Sequence, residues 1–142
     1  MDIEKMQKDV YGETKRLGYE VNLYTTIGKL DEELKELKNC SAGDRRNIYT
    51  AGFIQNDADF KSYFENKIKN TVYDEIPDMI FVLMSYCECK NVNIETLMNM
   101  KLRYNKLRNK KIDPETNCSN IDCNNNEAGY CIGEECLLNE DR

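Results

Sequence analysis

Asp74-Glu75-Ile76-Pro77-Asp78-Met79-Ile80-Phe81-Val82-Leu83-Met84 is the longest apolar run of the chain, and acids stand at its mouth. Met79 to Met84 is unbroken apolar sequence, too short to span a membrane, and predicts a helix buried on most sides. Glu75 and Asp78 are three apart, which puts both carboxylates on one helix face. Carboxylates leading into a buried helix are costly unless something cationic compensates them. A second acid group, Asp31-Glu32-Glu33-Leu34-Lys35-Glu36, lies upstream. Two helices bringing such pairs together would make a cage of hard oxygens, which suits Mg²⁺ or Mn²⁺. Taken alone, the upstream acids also fit a solvated face, since Lys29, Lys35 and Lys38 stand beside them.

Working outward, apolar spacing predicts about five helices and an all-α bundle. Ile3, Met6, Val10 and Leu17 recur at helical spacing, with Gly18 as a stop. Residues 19–24 are mixed and predict a loop. Thr25 or Thr26 is suited to cap a second helix, whose stripe is Ile27, Leu30, Leu34 and Leu37. Glu33 falls at the edge of that stripe and Glu36 further round. Cys40 to Asp44 predicts a helix end and turn. Residues 47–57 show no clear period. Phe60, Tyr63, Phe64, Ile68 and Val72 resume a helical spacing. The next helix either continues from this one or starts afresh under an Asp74 cap, and Pro77 favours a break. It runs to about Cys89, with Cys87 and Cys89 as packing residues. Asn91 and Asn93 offer a turn and a cap for the last helix. That helix places Ile94, Leu97, Met98, Lys101, Asn105 and Arg108 on one face. Its cationic end fits either a functional surface or a helix terminus emerging into water, its cations answering the dipole.

Composition narrows the chemistry. A net charge of −6 argues against a protein whose main business is nucleic-acid binding. No histidine occurs in the 142 residues. Acid–base work therefore falls to carboxylates, Lys, Tyr, Cys or metal-bound water. No apolar signal-peptide core stands at Met1 to Lys5, which predicts a cytoplasmic protein and no membrane association. Seven cysteines in such a chain read as thiols or metal ligands before disulfides. The composition changes after Pro114. This divides the chain into a helical domain over residues 1–112 and a Cys-rich tail over 113–142. Within the tail, Cys118, Cys123, Cys131 and Cys136 form C-x4-C-x7-C-x4-C. Four thiolates are able to close a tetrahedral Zn²⁺ site. A disordered tail with reduced thiols and a disulfide-bonded one stay open beside it.

Glu32-Glu33-x-x-Glu36 followed by Glu75-x-x-Asp78 resembles the E-E-x-x-E … E-x-x-D signature of the MazG-like all-α nucleoside triphosphate pyrophosphohydrolases. The approach Ile68-Lys69-Asn70-Thr71-Val72-Tyr73-Asp74-Glu75 looks like that family's lead into its second motif. Lys101-x-x-x-Asn105-x-x-Arg108 looks like its last-helix signature. The resemblance covers roughly residues 1–110. It implies Mg²⁺, or Mn²⁺, held by Glu33, Glu36, Glu75 and Asp78. Glu32 would stand beside them as a supporting group or as the base for the attacking water. Lys101, Asn105 and Arg108 would meet the phosphates. The implied reaction converts a nucleoside triphosphate and water to the monophosphate and pyrophosphate, in a homodimer or homotetramer. The gap between Glu36 and Glu75 is longer than in compact members, implying an inserted helix around Phe60. The chain has no tryptophan, so base stacking would fall to Tyr or Phe. Two other readings stand beside the enzyme: a non-catalytic helical nucleotide- or partner-binding protein with a zinc-binding tail, and an interaction protein whose acids are surface decoration.

Overall fold

The computed structural model describes residues 1–108. The tail cysteines Cys118, Cys123, Cys131 and Cys136, with the Zn²⁺ expected there, lie outside the described residues. Six helices and no strand are present among the described residues: α1 (Ile3–Arg16), α2 (Leu23–Asn39), α3 (Arg46–Gly52), α4 (Asp57–Tyr63), α5 (Val72–Cys89) and α6 (Ile94–Leu107). No described helix is long and apolar enough to cross a membrane. Two compact units divide after Asn99. In the first, α5 packs against both α1 and α2. The second unit's described part is residues 100–108, the end of α6.

Local chemistry sets the helix limits. The Asp2 carboxylate caps α1 by accepting from the Lys5 amide at 3.1 Å. Gly18, at φ +86°, closes it as the sequence predicts. The start of α2 lies earlier than Thr25. Asn22 Oδ1 accepts from the Thr25 amide at 2.9 Å, and the Thr25 hydroxyl accepts from the Asn22 amide at 3.0 Å. This reciprocal capping box satisfies two free donors at once, which a lone threonine cap does not. Its inward stripe is Thr26, Leu30, Glu33 and Leu37, with Thr26 and Glu33 the buried members. Ile27 and Leu34 are turned outward.

Most of α3 falls within residues 47–57, and its one buried residue is Ala51. A single small inward group leaves no period to read. The helix around Phe60 is present as α4, and it widens into a π-helical turn at Phe64–Ile68 that ends at Lys69, whose amide donates to Phe64 O at 2.8 Å. Tyr63 Oη donates to Asn47 Oδ1 at 3.0 Å and ties α4 to α3.

The chain breaks before α5 at residues 69–71. Thr71 caps α5, its Oγ1 accepting from the Tyr73 amide, whereas Asp74 accepts from the Asn70 amide outside the helix. Pro77 lies inside α5 and does not end it. It removes one ladder hydrogen bond close to the helix start, where the loss is smaller than mid-helix. The expectation that α5 is buried on most sides is not met in the single chain. Ile76, Ile80, Phe81 and Leu83 are exposed, and only Glu75, Met84, Ser85 and Cys87 are buried. Two helices, α1 and α2, cannot surround a third.

Gln7, buried on α1, joins α1 to the turn after α5. Its Nε2 donates to Val92 O at 2.8 Å and Glu88 Oε1 at 3.0 Å, and its Oε1 accepts from the Ile94 amide at 2.8 Å. In that turn Asn91 takes φ +58°, and Asn93 Oδ1 accepts from the Thr96 amide, as the sequence predicts.

A two-bond staple sets α2 against α5. The Ser41 amide donates to Asn70 O at 3.2 Å, and the Val72 amide donates to Ser41 O at 2.9 Å. Gly43, at φ +75°, makes the close pass: a Cβ there would lie 2.8 Å from Thr71 Cβ. Gly43→Ala meets both a conformational and a steric obstacle. We expect it to lower stability by about 1–3 kcal/mol. The thermal midpoint should fall by at least about 5 °C; an unchanged midpoint would show that the staple is soft.

Candidate metal centre

Glu33 and Glu36 come from α2, and Glu75 and Asp78 from α5. One carboxylate oxygen from each lies within 4.8 Å of the others. Spacing of three on each helix points both members of a pair the same way. The staple at Ser41 and Thr71 then fixes how the pairs face.

The electrostatics are those of an under-neutralised cluster. Glu33 and Glu75 are only 5% and 4% exposed, and Glu33 Oε1 and Glu75 Oε1 are buried without a hydrogen-bond partner. Buried carboxylate oxygens in that state are costly. Burial pushes the Glu75 carboxyl up to about 7, helped by the negative charges of Asp74, Glu36 and Asp78 and by a hydrogen bond with Glu36 that favours the protonated form. Burial also raises Glu33, with Asp78 and Glu36 adding to it while Lys29 opposes. Asp78 is raised by burial and by Asp74 and Glu36, against Lys29 and Lys69. Three of the four acids are therefore pushed toward neutrality, each in part by its carboxylate neighbours.

Lys29, one turn before Glu33 on α2, supplies compensating charge. Its Nζ lies 3.3 Å from Glu33 Oε2 and 3.0 Å from Glu32 Oε1. In the sequence Lys29 fits a solvated face beside the upstream acids; its role here follows from the burial of Glu33 four residues on, which the spacing alone does not reveal. Glu32 is exposed, holds Lys29, and is not one of the four converging carboxylates.

A cleft of 890 Å³ adjoins the cluster, between α1, α2 and α5, and Glu33 and Asp78 form part of its wall. Met6, Leu17, Phe81 and Val82 supply apolar surface to it. Thr14, Thr26 and Ser85 bring hydroxyls, with Thr14 and Ser85 hydrogen-bonded to each other at 2.9 Å. Tyr19 stands at the cleft with the Lys29 ammonium 5.9 Å from its ring centre. In the sequence Met6 and Leu17 belong to the α1 stripe, Thr26 to a helix cap and Phe81 and Val82 to the apolar run, while Thr14 and Ser85 carry no signal; no period joins these positions, because the cleft is made by packing.

Lys101, Asn105 and Arg108 lie in the second unit, each exposed. Lys101 stacks over Tyr104 at 5.1 Å, and Arg108 donates to Asn105 Oδ1 at 3.4 Å.

Four oxygen donors with no nitrogen or sulfur suit a hard divalent cation such as Mg²⁺, Mn²⁺ or Ca²⁺. The donor set fits such an ion: it would give the unpartnered oxygens of Glu33 and Glu75 a partner and relieve the mutual repulsion. No family model, curated protein or solved structure matches this chain.

Proposed function

We propose that the chain is a Mg²⁺-dependent nucleoside triphosphate pyrophosphohydrolase, converting a ribo- or deoxyribonucleoside triphosphate and water to the monophosphate and pyrophosphate. One observation carries the reading. Glu33, Glu36, Glu75 and Asp78 converge with two buried, unpartnered oxygens, and Glu33 and Asp78 form part of the wall of a cleft large enough for a nucleotide. The resemblance of the same residues to the E-E-x-x-E … E-x-x-D signature selects the reaction.

The four carboxylates would hold Mg²⁺, with Mn²⁺ as an alternative. The ion would screen the triphosphate's charge, polarise the phosphoryl group and lower the pKa of bound water. The chain's own groups do the rest. The apolar wall of Met6, Leu17, Phe81 and Val82 shields the nucleoside from water, and the hydroxyls of Thr14, Thr26 and Ser85 offer it hydrogen bonds. Tyr19 offers a stacking face. Water adds at phosphorus, the bond between the α- and β-phosphoryl groups breaks, and pyrophosphate leaves. The water's proton passes to a carboxylate of the cluster or to the neighbouring Glu32. The phosphate role of Lys101, Asn105 and Arg108 is carried by the resemblance of their spacing alone.

The reading includes a homodimer or a dimer of dimers. Ile76, Ile80 and Leu83 on α5 and Ile27 and Leu34 on α2 are exposed, and a second copy would cover them. Light scattering at micromolar concentration should give at least twice the 16.6 kDa chain mass; a monomer mass would remove this part.

The deciding experiment is pyrophosphate release from a panel of ribo- and deoxyribonucleoside triphosphates, with Mg²⁺ and with EDTA. Release from at least one nucleotide, dependent on the metal, is expected. Metal-dependent nucleotide binding without release would favour the non-catalytic binder instead.

A further inference from the structure

We propose that Lys29 is the resident counter-ion of the acid cluster, competing with the divalent cation for Glu33 and passing to the triphosphate when nucleotide arrives. The inference rests on the cluster being a metal site, and it concerns what controls loading of that site.

The two oxygens of Glu33 are in different states. Oε1 is buried and unpartnered, whereas Oε2 is held by Lys29 at 3.3 Å. A cation bound through Glu33 places two positive charges beside an ammonium already in contact with the same carboxylate. Metal and lysine therefore oppose each other at this residue. Lys29 has somewhere to go. Its side chain is 43% exposed, on the lining of the cleft. Its second carboxylate partner, Glu32, is 64% exposed and forms a screened, weak pair. An ammonium carries three donors on a flexible stem, so it can leave Glu33 without loss of fold.

The other lysine on the cleft is differently engaged. Lys5 pairs with Asp9 at 2.6 Å, both side chains lying well exposed at the cleft. Lys29 is the cleft lysine that touches the cluster. A triphosphate brings about four negative charges to a cleft also lined by Asp2, Asp9, Glu13 and Glu20. An ammonium released from Glu33 there has a better partner in a phosphate oxygen than in Glu32. In the absence of nucleotide, Lys29 weakens metal binding. In its presence, Lys29 strengthens binding of the metal–nucleotide complex. Metal and nucleotide binding are thereby coupled, and each favours the other by the same factor.

The test compares Lys29→Gln and Lys29→Arg with the full wild-type chain. Mg²⁺ alone is titrated first, followed by calorimetry and thermal midpoint. Lys29→Gln should bind Mg²⁺ about tenfold more tightly than wild type when no nucleotide is present. A triphosphate with a methylene bridge between its α- and β-phosphorus atoms is titrated next, in saturating Mg²⁺. There Lys29→Gln should bind about tenfold more weakly, while Lys29→Arg keeps the wild-type pattern in both titrations. Unchanged or weaker Mg²⁺ binding by Lys29→Gln overturns the inference, whatever happens to hydrolysis. Wild-type protein that binds no Mg²⁺ overturns the metal reading and this inference together. Mg²⁺ binding with the expected Lys29 effects, but without pyrophosphate release, upholds the counter-ion role and removes only the catalytic assignment.

Discussion

Glu75→Gln will abolish Mg²⁺-dependent hydrolysis and most of the Mg²⁺-induced stabilisation, while making the metal-free protein more stable above neutral pH. The three effects share one cause. Glu75 is 4% exposed, with Oε1 unpartnered and its carboxyl raised to about 7. An amide keeps the shape and removes the charge, and with it both the repulsion within the cluster and a ligand. Even residues that only support metal ligands typically cost 10–100-fold when changed, so loss of a direct ligand should lower turnover by at least about a hundredfold. Asp78→Asn should act in the same direction, with a smaller gain in metal-free stability because Asp78 is less buried. Solvated surface acids would behave differently: the amides would shift stability by only a few tenths of a kcal/mol and leave the metal response intact. Pyrophosphate release and the thermal midpoint with and without Mg²⁺ measure all three effects. Wild-type turnover by Glu75→Gln would end the catalytic assignment of this motif.

How far the molecule is legible in its sequence depends on the range of the interactions. Ends set by neighbouring residues are readable: Gly18 after α1, Asn91 and Asn93 between α5 and α6, and the end of α5 at Cys89. The sequence places the α2 start too late, because Thr25 signals a cap by itself whereas Asn22, the residue that caps with it, reads as part of the preceding loop. The two acid pairs are visible as spacings of three. Their convergence depends on the staple between Ser41 and the strained Asn70–Thr71 corner, where Asn70 takes φ +66°. That contact joins residues about thirty apart, beyond any helical period. Burial was the least legible property. The run from Met79 to Met84 is apolar on every face, yet the single chain covers only one. On α2, the inward positions of the stripe include Thr26 and Glu33 instead of Ile27 and Leu34. A hydrophobic count turns this helix outward by a residue, because it has no means of preferring a buried carboxylate. The same blindness hides Lys29, whose importance follows only from the burial of Glu33.

The last expected result is a reversal in the pH dependence of stability on adding metal. In the metal-free protein Glu75 titrates near 7 when folded, against 4.5 for the ordinary carboxyl. Glu33 and Asp78 are displaced upward too, all three mainly by burial. The sign follows from proton counts. Between the ordinary and the raised pKa, the folded state binds more protons than the unfolded state. Stability therefore falls as pH rises from about 4.5 through about 7. The facing charges act within this balance: Asp74 and Glu36 push the pKa values up, and Lys29 and Lys69 hold them down. The exposed acids Glu13 and Asp44 are instead pulled below their ordinary values by Arg16 and Arg46, so their contributions change only at lower pH. With Mg²⁺ present the window inverts, because the ion binds deprotonated carboxylates and competes with protons. Thermal midpoints in EDTA should decline between pH 5 and 7.5, while those in saturating Mg²⁺ hold steady or rise. At one hundred times its dissociation constant, an ion bound only by the folded chain adds about 2.7 kcal/mol. For about a hundred residues, the gap above pH 7.5 should then reach at least about 10 °C and close toward pH 5. Glu75→Gln should flatten the EDTA curve and remove most of the gap. Two curves that run parallel across the range, offset or not, would show that the four carboxylates do not exchange protons for metal.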